Sequence, residues 1–343
     1  MHYLLQPFML TTKEVISLIK NYTFTSIFTP HLTDYINQRR ALGFNFNLQS
    51  YWLYRFDKYC TSIDLCTPSI NKELIDNWMK SISGDSKHSK ISRMAAIKGF
   101  LIYLNTIGLE AYIPHAYIKA EKTIPYILSD SEIEAFFKAL DNRIVSSSVK
   151  RFAQLQVEYR VFFRLMYCCG LRNSEACNAK IENLNITDGT LKIEQSKGHK
   201  DRLVYLPDDI IPLIADYLKY LKTIKGNPMI WLFPGKYLTK PCQNTSMDKL
   251  FKSIWDSLGI TSIGEKAPTM HCFRHHFVVT RMNLWIKDNT IELNSMMPYL
   301  SKYLGHSSPS ETFYYYHQVQ EAFEIIESKD TVSKAVIPEV KHE

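Results

Sequence analysis

Asn185-Ile186-Thr187-Asp188-Gly189-Thr190-Leu191-Lys192-Ile193-Glu194 is the stretch that decides the fold class. Two short runs carrying β-branched residues flank Asp188-Gly189, a pair suited to a tight hairpin turn. A second turn, Ser196-Lys197-Gly198-His199-Lys200-Asp201, leads into Arg202-Leu203-Val204-Tyr205-Leu206. Together they form a three-stranded antiparallel sheet. The chain on either side has helical periodicity, so the expected class is mainly α with a small antiparallel β-sheet.

Upstream, Phe152 to Cys169 is a strongly apolar helical run, read as a central buried helix that stops at Gly170. Asn173 to Ile181 reads as the next helix, and helices resume from Ile210. Ser129 and Glu132 have capping-box spacing, so a helix should open there. The stretch Ala111 to Leu128 contains Pro114 and Pro125 and no long periodic run, and reads as a linker. A boundary near residue 122 divides the chain into a helical domain, 1–122, and a second domain, 123–343, which includes a tail, 318–343.

Within the first domain, Asn71 to Lys80 and Ser86 to Leu104 read as helices. The second carries Ile91, Met94, Ala95, Ile97, Leu101, Ile102 and Leu104 on one side. Lys87, His88, Lys90, Arg93 and Lys98 form a cationic opposite side suited to lie along phosphates, or simply a solvated helix face. Arg39 and Arg40 make a second small basic patch.

The chain has 343 residues and a net charge of +7. Residues 1–120 carry 13 basic and 8 acidic side chains, whereas 318–343 carry 3 and 6. A basic body with an acidic tail suits a polyanionic partner. No stretch reaches the ~20 apolar residues that span a bilayer, so no membrane association is expected. Met1 to Leu10 lacks a basic leader and a small-residue cleavage site, so no signal peptide is read and the chain is expected to stay in the cytoplasm. None of the seven cysteines forms a Cys-x-x-Cys pair, so buried free thiols are expected rather than disulfides or a zinc knuckle.

Four clusters carry chemistry. Arg172, at a helix start after Gly170, is placed for an anion, with Glu175 able to orient it; a surface salt bridge is the bland alternative. Lys197 stands at a turn tip. His271 and Arg274 share a helix face. His271 and His275 are four apart, but the zinc-protease pattern requires Glu after the first His, and Cys272 stands there. Gly305-His306 precedes Thr312-Phe313-Tyr314-Tyr315-Tyr316-His317. Two arginines, a lysine, histidines and a tyrosine make a phosphoryl-transfer set that needs no metal and no cofactor. Arginines stabilise the charge of attack, and a lysine or histidine protonates the leaving oxygen. The tyrosine hydroxyl, with a pKa near ~10, needs activation, which a cationic cluster would supply by lowering it.

In order and spacing these boxes resemble the tyrosine recombinases, the integrases of phages, mobile elements and Xer systems. Gly170-Leu171-Arg172-x-Ser174-Glu175 looks like the first arginine box. Ser196-Lys197-Gly198-x-Lys200-x-Arg202 resembles the β-hairpin lysine box, and His271-x-x-Arg274-His275 the second arginine box. Leu304-Gly305-His306-Ser307 is similar to the second histidine box, and Tyr315 follows His306 by nine residues. Thr312 and His317 single out Tyr315 over Tyr314 and Tyr316, which makes the choice a matter of register.

The resemblance implies a two-domain, C-shaped clamp on double-stranded DNA carrying specific recombination sites. Arg39, Arg40, Lys87, Lys90, Arg93, Lys98, Lys200 and Arg202 would be DNA contacts. Tyr315 would be the nucleophile of a 3′-phosphotyrosyl intermediate. Arg172, Lys197, His271, Arg274 and His306 would complete the catalytic set, with Glu175 supporting it. Four protomers would act through a Holliday junction, integrating or excising a mobile element, with DNA-bending or directionality proteins as possible accessories. The tail, with Ala322, Phe323, Ile325 and Ile326, would dock onto a neighbouring protomer. The competing readings are an inactive DNA-binding regulator on the same fold and a type IB topoisomerase or telomere resolvase.

Overall fold

The computed structural model describes residues 21–81, 86–115, 125–143, 150–194, 201–225, 229–235, 238–260, 267–288, 290–306 and 308–315. The readings for Met1–Leu10, the 122 boundary, Lys197, Lys200, Tyr316, His317 and the tail lie outside them. The chain divides into two compact units, 1–123 and 124–343.

The first unit contains helices α1 (Thr29–Ala41), α2 (Asn47–Ser62), α3 (Lys72–Ser81) and α4 (Lys87–Thr106). Asn71 Oδ1 accepts from the Leu74 amide at 2.9 Å, and Ser86 Oγ from the Ser89 amide at 3.1 Å, so side-chain caps start both α3 and α4. Phe28, Phe56, Trp78 and Phe100 fill the core. Buried Asp57 ties the segment before α1 to α2, accepting from the Thr25 and Ser26 amides at 2.9 Å each.

The sequence reading places Arg93 on the wrong face of α4. The buried stripe runs Arg93, Ala96, Ile97, Phe100, Leu101, Leu104, whereas Ile102 is exposed. The Arg93 guanidinium donates to Met79 O at 2.8 Å and lies 5.2 Å from the Trp78 ring centroid and 5.9 Å from that of Trp52. A planar cation that stacks on indole and satisfies a helix-end carbonyl can enter a core where a lysine would not. Lys87 and Lys90 are exposed, and Lys98 is partly so.

The second unit comprises α5 (Asp130–Asn142), α6 (Lys150–Cys169), α7 (Asn173–Cys177), strands β1 (Leu184–Asn185), β2 (Thr190–Ile193) and β3 (Arg202–Tyr205), then α8 (Ile211–Lys225), α9 (Asn244–Ser257), α10 (His271–Lys287), α11 (Leu293–Leu304) and α12 (Ser310–Phe313). The molecule is mostly helical, with one three-stranded antiparallel sheet among the described residues, ordered β1-β2-β3. The Ser129–Glu132 capping box forms at the start of α5.

Two local readings change. The Asn185–Thr190 pairing leaves four residues, 186–189, in the first turn. Asn185 Oδ1 takes the Asp188 amide, and Gly189 supplies the left-handed conformation at φ 60°. Helix α7 ends at Cys177 rather than Ile181. Ala179 and Ile181 instead pair with the 230–232 segment, through Leu232 N to Ala179 O at 2.8 Å and Ile181 N to Ile230 O at 2.9 Å.

Helix α6 packs against α10 and α8. Phe136 of α5 meets Phe163, Phe251 and Phe273 at centroid distances of 5.4, 5.1 and 5.3 Å. Burying each such ring stabilises the fold by about 2–3 kcal/mol. This cluster fixes the start of α10, where His271 and Arg274 reside and His275 follows one turn beyond His271. All seven cysteines are free; five are buried as expected, whereas Cys168 is half-buried and Cys66 is exposed.

Candidate active site

Glu175 is the anchor of the site. Its side chain is only 4% exposed. Arg202 grips it with Nη1 to Oε1 at 2.9 Å and Nη2 to Oε2 at 2.8 Å. Arg172 adds Nη1 to Oε1 at 2.8 Å and its own backbone amide to Oε2 at 2.9 Å. Burial alone would raise this carboxyl, but the hydrogen bonds and charge of Arg202, joined by those of Arg172, hold it down at about 2. Glu175 is therefore ionised throughout the physiological range. Arg202, read from sequence as a DNA contact, is instead a buried ion-pair partner. It lies opposite Ile193 on β3 and also donates from Nε to Tyr303 O at 2.6 Å.

Arg172 and Arg274 both hold the turn that follows α11. Arg172 Nη2 donates to Gly305 O at 3.0 Å. Arg274 spans two elements, with Nη1 to Gly170 O at 2.9 Å and Nη2 to Leu304 O at 2.6 Å. Gly170 and Gly305 both have left-handed backbones, with φ 61° and 66°. These turns aim their carbonyls at the guanidinium groups. Arg172 is 18% exposed, whereas Arg274 is 1% exposed. Burial, then the nearby charge of Arg172, lowers Arg274 to about 10, which still leaves it cationic at neutral pH.

The histidines of the site are neutral. His306 Nδ1 is 2.7 Å from Thr312 Oγ1, which fixes the start of α12 relative to the end of α11. Burial, then the charges of Arg274, Arg172 and Arg202, lower His306 to about 3. His271 has an edge open to solvent, yet packing around the ring, then Arg274 and Arg172, lower it to about 4. A cavity of about 450 Å³ lined by Arg202, Lys302, Gly305 and His306 opens beside this turn.

Tyr315 is brought into the same constellation. It is 4% exposed, packed with Phe277, Val278, Leu300 and Leu304. Its hydroxyl lies 2.7 Å from His275 Nδ1. The sequence reading had the cations lower the tyrosine pKa. Burial overrides the lowering by Arg274 and raises it to about 12. Ionising it unaided at pH 7 would cost ~7 kcal/mol. His275 was absent from the proposed catalytic set; its spacing, one turn beyond His271 and next to Arg274, was the available signal. The possibility of a His271–His275 metal pair finds no third ligand, since no group of three His, Cys, Asp or Glu with metal-holding geometry exists among the described residues.

Lys197 lies outside the described residues. Arg39, Arg40, Lys87, Lys90 and Lys98 belong to the first unit. There Arg39 lies 4.4 Å from the Phe44 ring centroid, and Arg40 donates to Asn21 Oδ1 at 3.1 Å. No helix among the described residues is long and apolar enough to cross a membrane.

Guanidinium groups, neutral imidazoles and a tyrosine converge on two helix ends. Residues 127–322, more than half of the chain, match the phage integrase family, so the chain belongs to that family of tyrosine recombinases, enzymes that transfer DNA strands. A tyrosine recombinase of Thermosipho africanus is 25% identical over 281 residues, covering 78% of this chain and 88% of the relative. Among solved structures, the fold is similar to XerH site-specific recombinase bound to palindromic difH substrate, with TM-score 0.61, 20% identity and coverage of 82% and 79% of the two chains. It is also similar to a lambda integrase tetramer bound to a Holliday junction, with TM-score 0.54, 16% identity and coverage of 87% and 80%.

Proposed function

We propose that this recombinase cuts and rejoins specific DNA sites through Tyr315, moving a mobile element into or out of a larger DNA. The observation that carries this reading is the convergence at one turn: Arg172 on Gly305 O, Arg274 on Leu304 O, and Tyr315 tucked against α10 one residue from Arg274. Residues from three distant stretches of sequence meet there. Attack by Tyr315 on the scissile phosphate would leave a 3′-phosphotyrosyl link and a free 5′-hydroxyl. Each guanidinium has five N–H donors, so Arg172 and Arg274 retain N–H groups for nonbridging oxygens after binding the protein. Lys197, a cationic side chain, would protonate the leaving oxygen. The bond energy is conserved in the protein–DNA ester, so strand joining needs no ATP.

The tetramer of lambda integrase on a Holliday junction supports four protomers acting on two duplexes here. The XerH complex supports a duplex recombination site as the substrate. The first unit would hold the core of that site through Arg39, Arg40, Lys87, Lys90 and Lys98. The acidic tail would seat on a neighbouring protomer, and accessory DNA-bending proteins would set direction. A chain that acts on DNA would work in the cytoplasm of a cell without a nucleus. An inactive regulator is disfavoured by the complete set of Arg172, Lys197, His271, Arg274, His306 and Tyr315.

The test uses nicked duplexes spanning the junctions at either end of the element that carries the gene. Wild-type protein is expected to become trapped on one of them as a covalent adduct on a denaturing gel. Tyr315→Phe is expected to bind the same duplex without adduct. Adduct that persists in Tyr315→Phe, or relaxation of supercoiled plasmid without site preference, would overturn the reading.

A further inference from the structure

We propose that His275 is the general base of the cleavage step, accepting the Tyr315 proton at Nδ1; this rests on Tyr315 being the nucleophile. The argument is one of geometry. Among the described residues, the Tyr315 hydroxyl makes its side-chain hydrogen bond to His275 Nδ1, at 2.7 Å. That distance is within direct proton-transfer reach. His306 is engaged at Nδ1 by Thr312. His271 meets His275 edge-on, with ring centroids 4.6 Å apart.

A tyrosine hydroxyl facing a neutral imidazole donates to the unprotonated nitrogen, which places the ring hydrogen on Nε2. The charged and titratable groups around the pair favour that neutral ring. Burial, then His271 and Arg274 of the same helix, lower His275 to about 3. Tyr315 is raised by burial against the charges of Arg274 and Arg172, with Tyr314 and Cys272 also nearby. A neutral acceptor and a protonated donor are the pair needed before attack. The scissile phosphodiester, once held by the two arginines, offsets the positive charge that disfavours imidazolium. Proton transfer then accompanies attack: the Oη–H bond breaks toward Nδ1 as the Oη–P bond forms. The P–O5′ bond breaks, and O5′ takes its proton from a cationic side chain such as Lys197. Rejoining runs the same steps backward, with the His275 imidazolium returning its proton to the departing phenolate.

Two measurements on the full chain decide the matter. The first needs no DNA: imidazole ¹⁵N NMR of the wild-type protein, with His275→Gln used for assignment. The Nε2–H tautomer, with Nδ1 as acceptor, is expected. An Nδ1–H tautomer would make His275 a donor to Tyr315 and would overturn the proposal. The second uses whichever junction duplex traps wild-type protein, so failure of the Tyr315 reading would appear separately, as absence of wild-type adduct. His275→Ala and His275→Asn are expected to cleave at least about a hundredfold more slowly at pH 7 with unchanged DNA affinity. Their rates should climb about tenfold per pH unit toward pH 9 as phenolate forms unaided, and added imidazole should restore His275→Ala. Cleavage by His275→Asn at the wild-type rate would reduce His275 to a positioning contact, and faster cleavage by either variant would make it a lock on Tyr315; both results contradict the base assignment.

Discussion

Arg93 illustrates how burial reassigns a residue whose charge alone suggests DNA. Arg93 sits on the inner stripe of α4, bonded to Met79 O between two indoles. Arg93→Ala should destabilise the protein by ~2–4 kcal/mol, because it leaves a cavity and an abandoned carbonyl. Chemical denaturation measures that, and salt titration of the folded variant's DNA affinity should retain the wild-type slope. Lys87→Ala combined with Lys90→Ala should do the reverse, lowering the salt slope by about two with no loss of stability. Arg274 is buried as well, and the proposed mechanism also gives it the scissile phosphate. Arg172→Ala should slow cleavage at least about a hundredfold. Arg274→Ala should do the same and also unfold the protein more easily, because Gly170 O and Leu304 O lose a buried cationic donor.

At the scale of elements, the glycines that end α6 and α11 set the site. Gly170 is left-handed, and a Cβ there would meet the buried Phe277 ring at 2.7 Å. Gly170→Ala should therefore cost about 2–4 kcal/mol, from backbone strain and overpacking together, and should lower the thermal midpoint more than Gly108→Ala, where an added Cβ meets nothing. The strand–turn–strand pattern, the capping box at Ser129 and the stop at Gly170 were legible because local chemistry dictates each of them. The end of α7 was not: Asn173 to Ile181 has ordinary helical residues, and pairing with the distant 230–232 segment overrides them. The face of α4 was misread for a similar reason. An arginine counts as polar in any periodicity, and only the facing Trp52 and Trp78 make it a core residue. Most of the site's residues could be named from the spacing of their boxes. Their protonation states could not, because these depend on burial, which sequence spacing does not carry: Tyr315 is raised where cations alone would lower it.

For the whole molecule, charge and proton balance give two expectations. A net charge of +7 acting on a polyanion means that DNA affinity should fall steeply as salt rises, and a flat response would contradict phosphate binding. His275 and His306 stay neutral in the fold down to about pH 3, whereas unfolded histidine takes a proton near 6.5. The unfolded chain thus binds more protons between those values, so stability should fall as pH drops from about 6.5 toward 3. Glu175, held at about 2 against an ordinary 4.5, should add its own loss only below about pH 4.5. Denaturation midpoints between pH 7 and 5 should show a slope that flattens in a His306→Asn variant; an unchanged slope would mean that His306 is already protonated in the fold. The central claim, that one tyrosine of three in a row bonds to DNA, is tested most directly by mass spectrometry of the trapped adduct. After nuclease and protease digestion, the residual nucleotide should lie on Tyr315. A nucleotide on Tyr314 or Tyr316 would contradict the register and, with it, the assignment of the site.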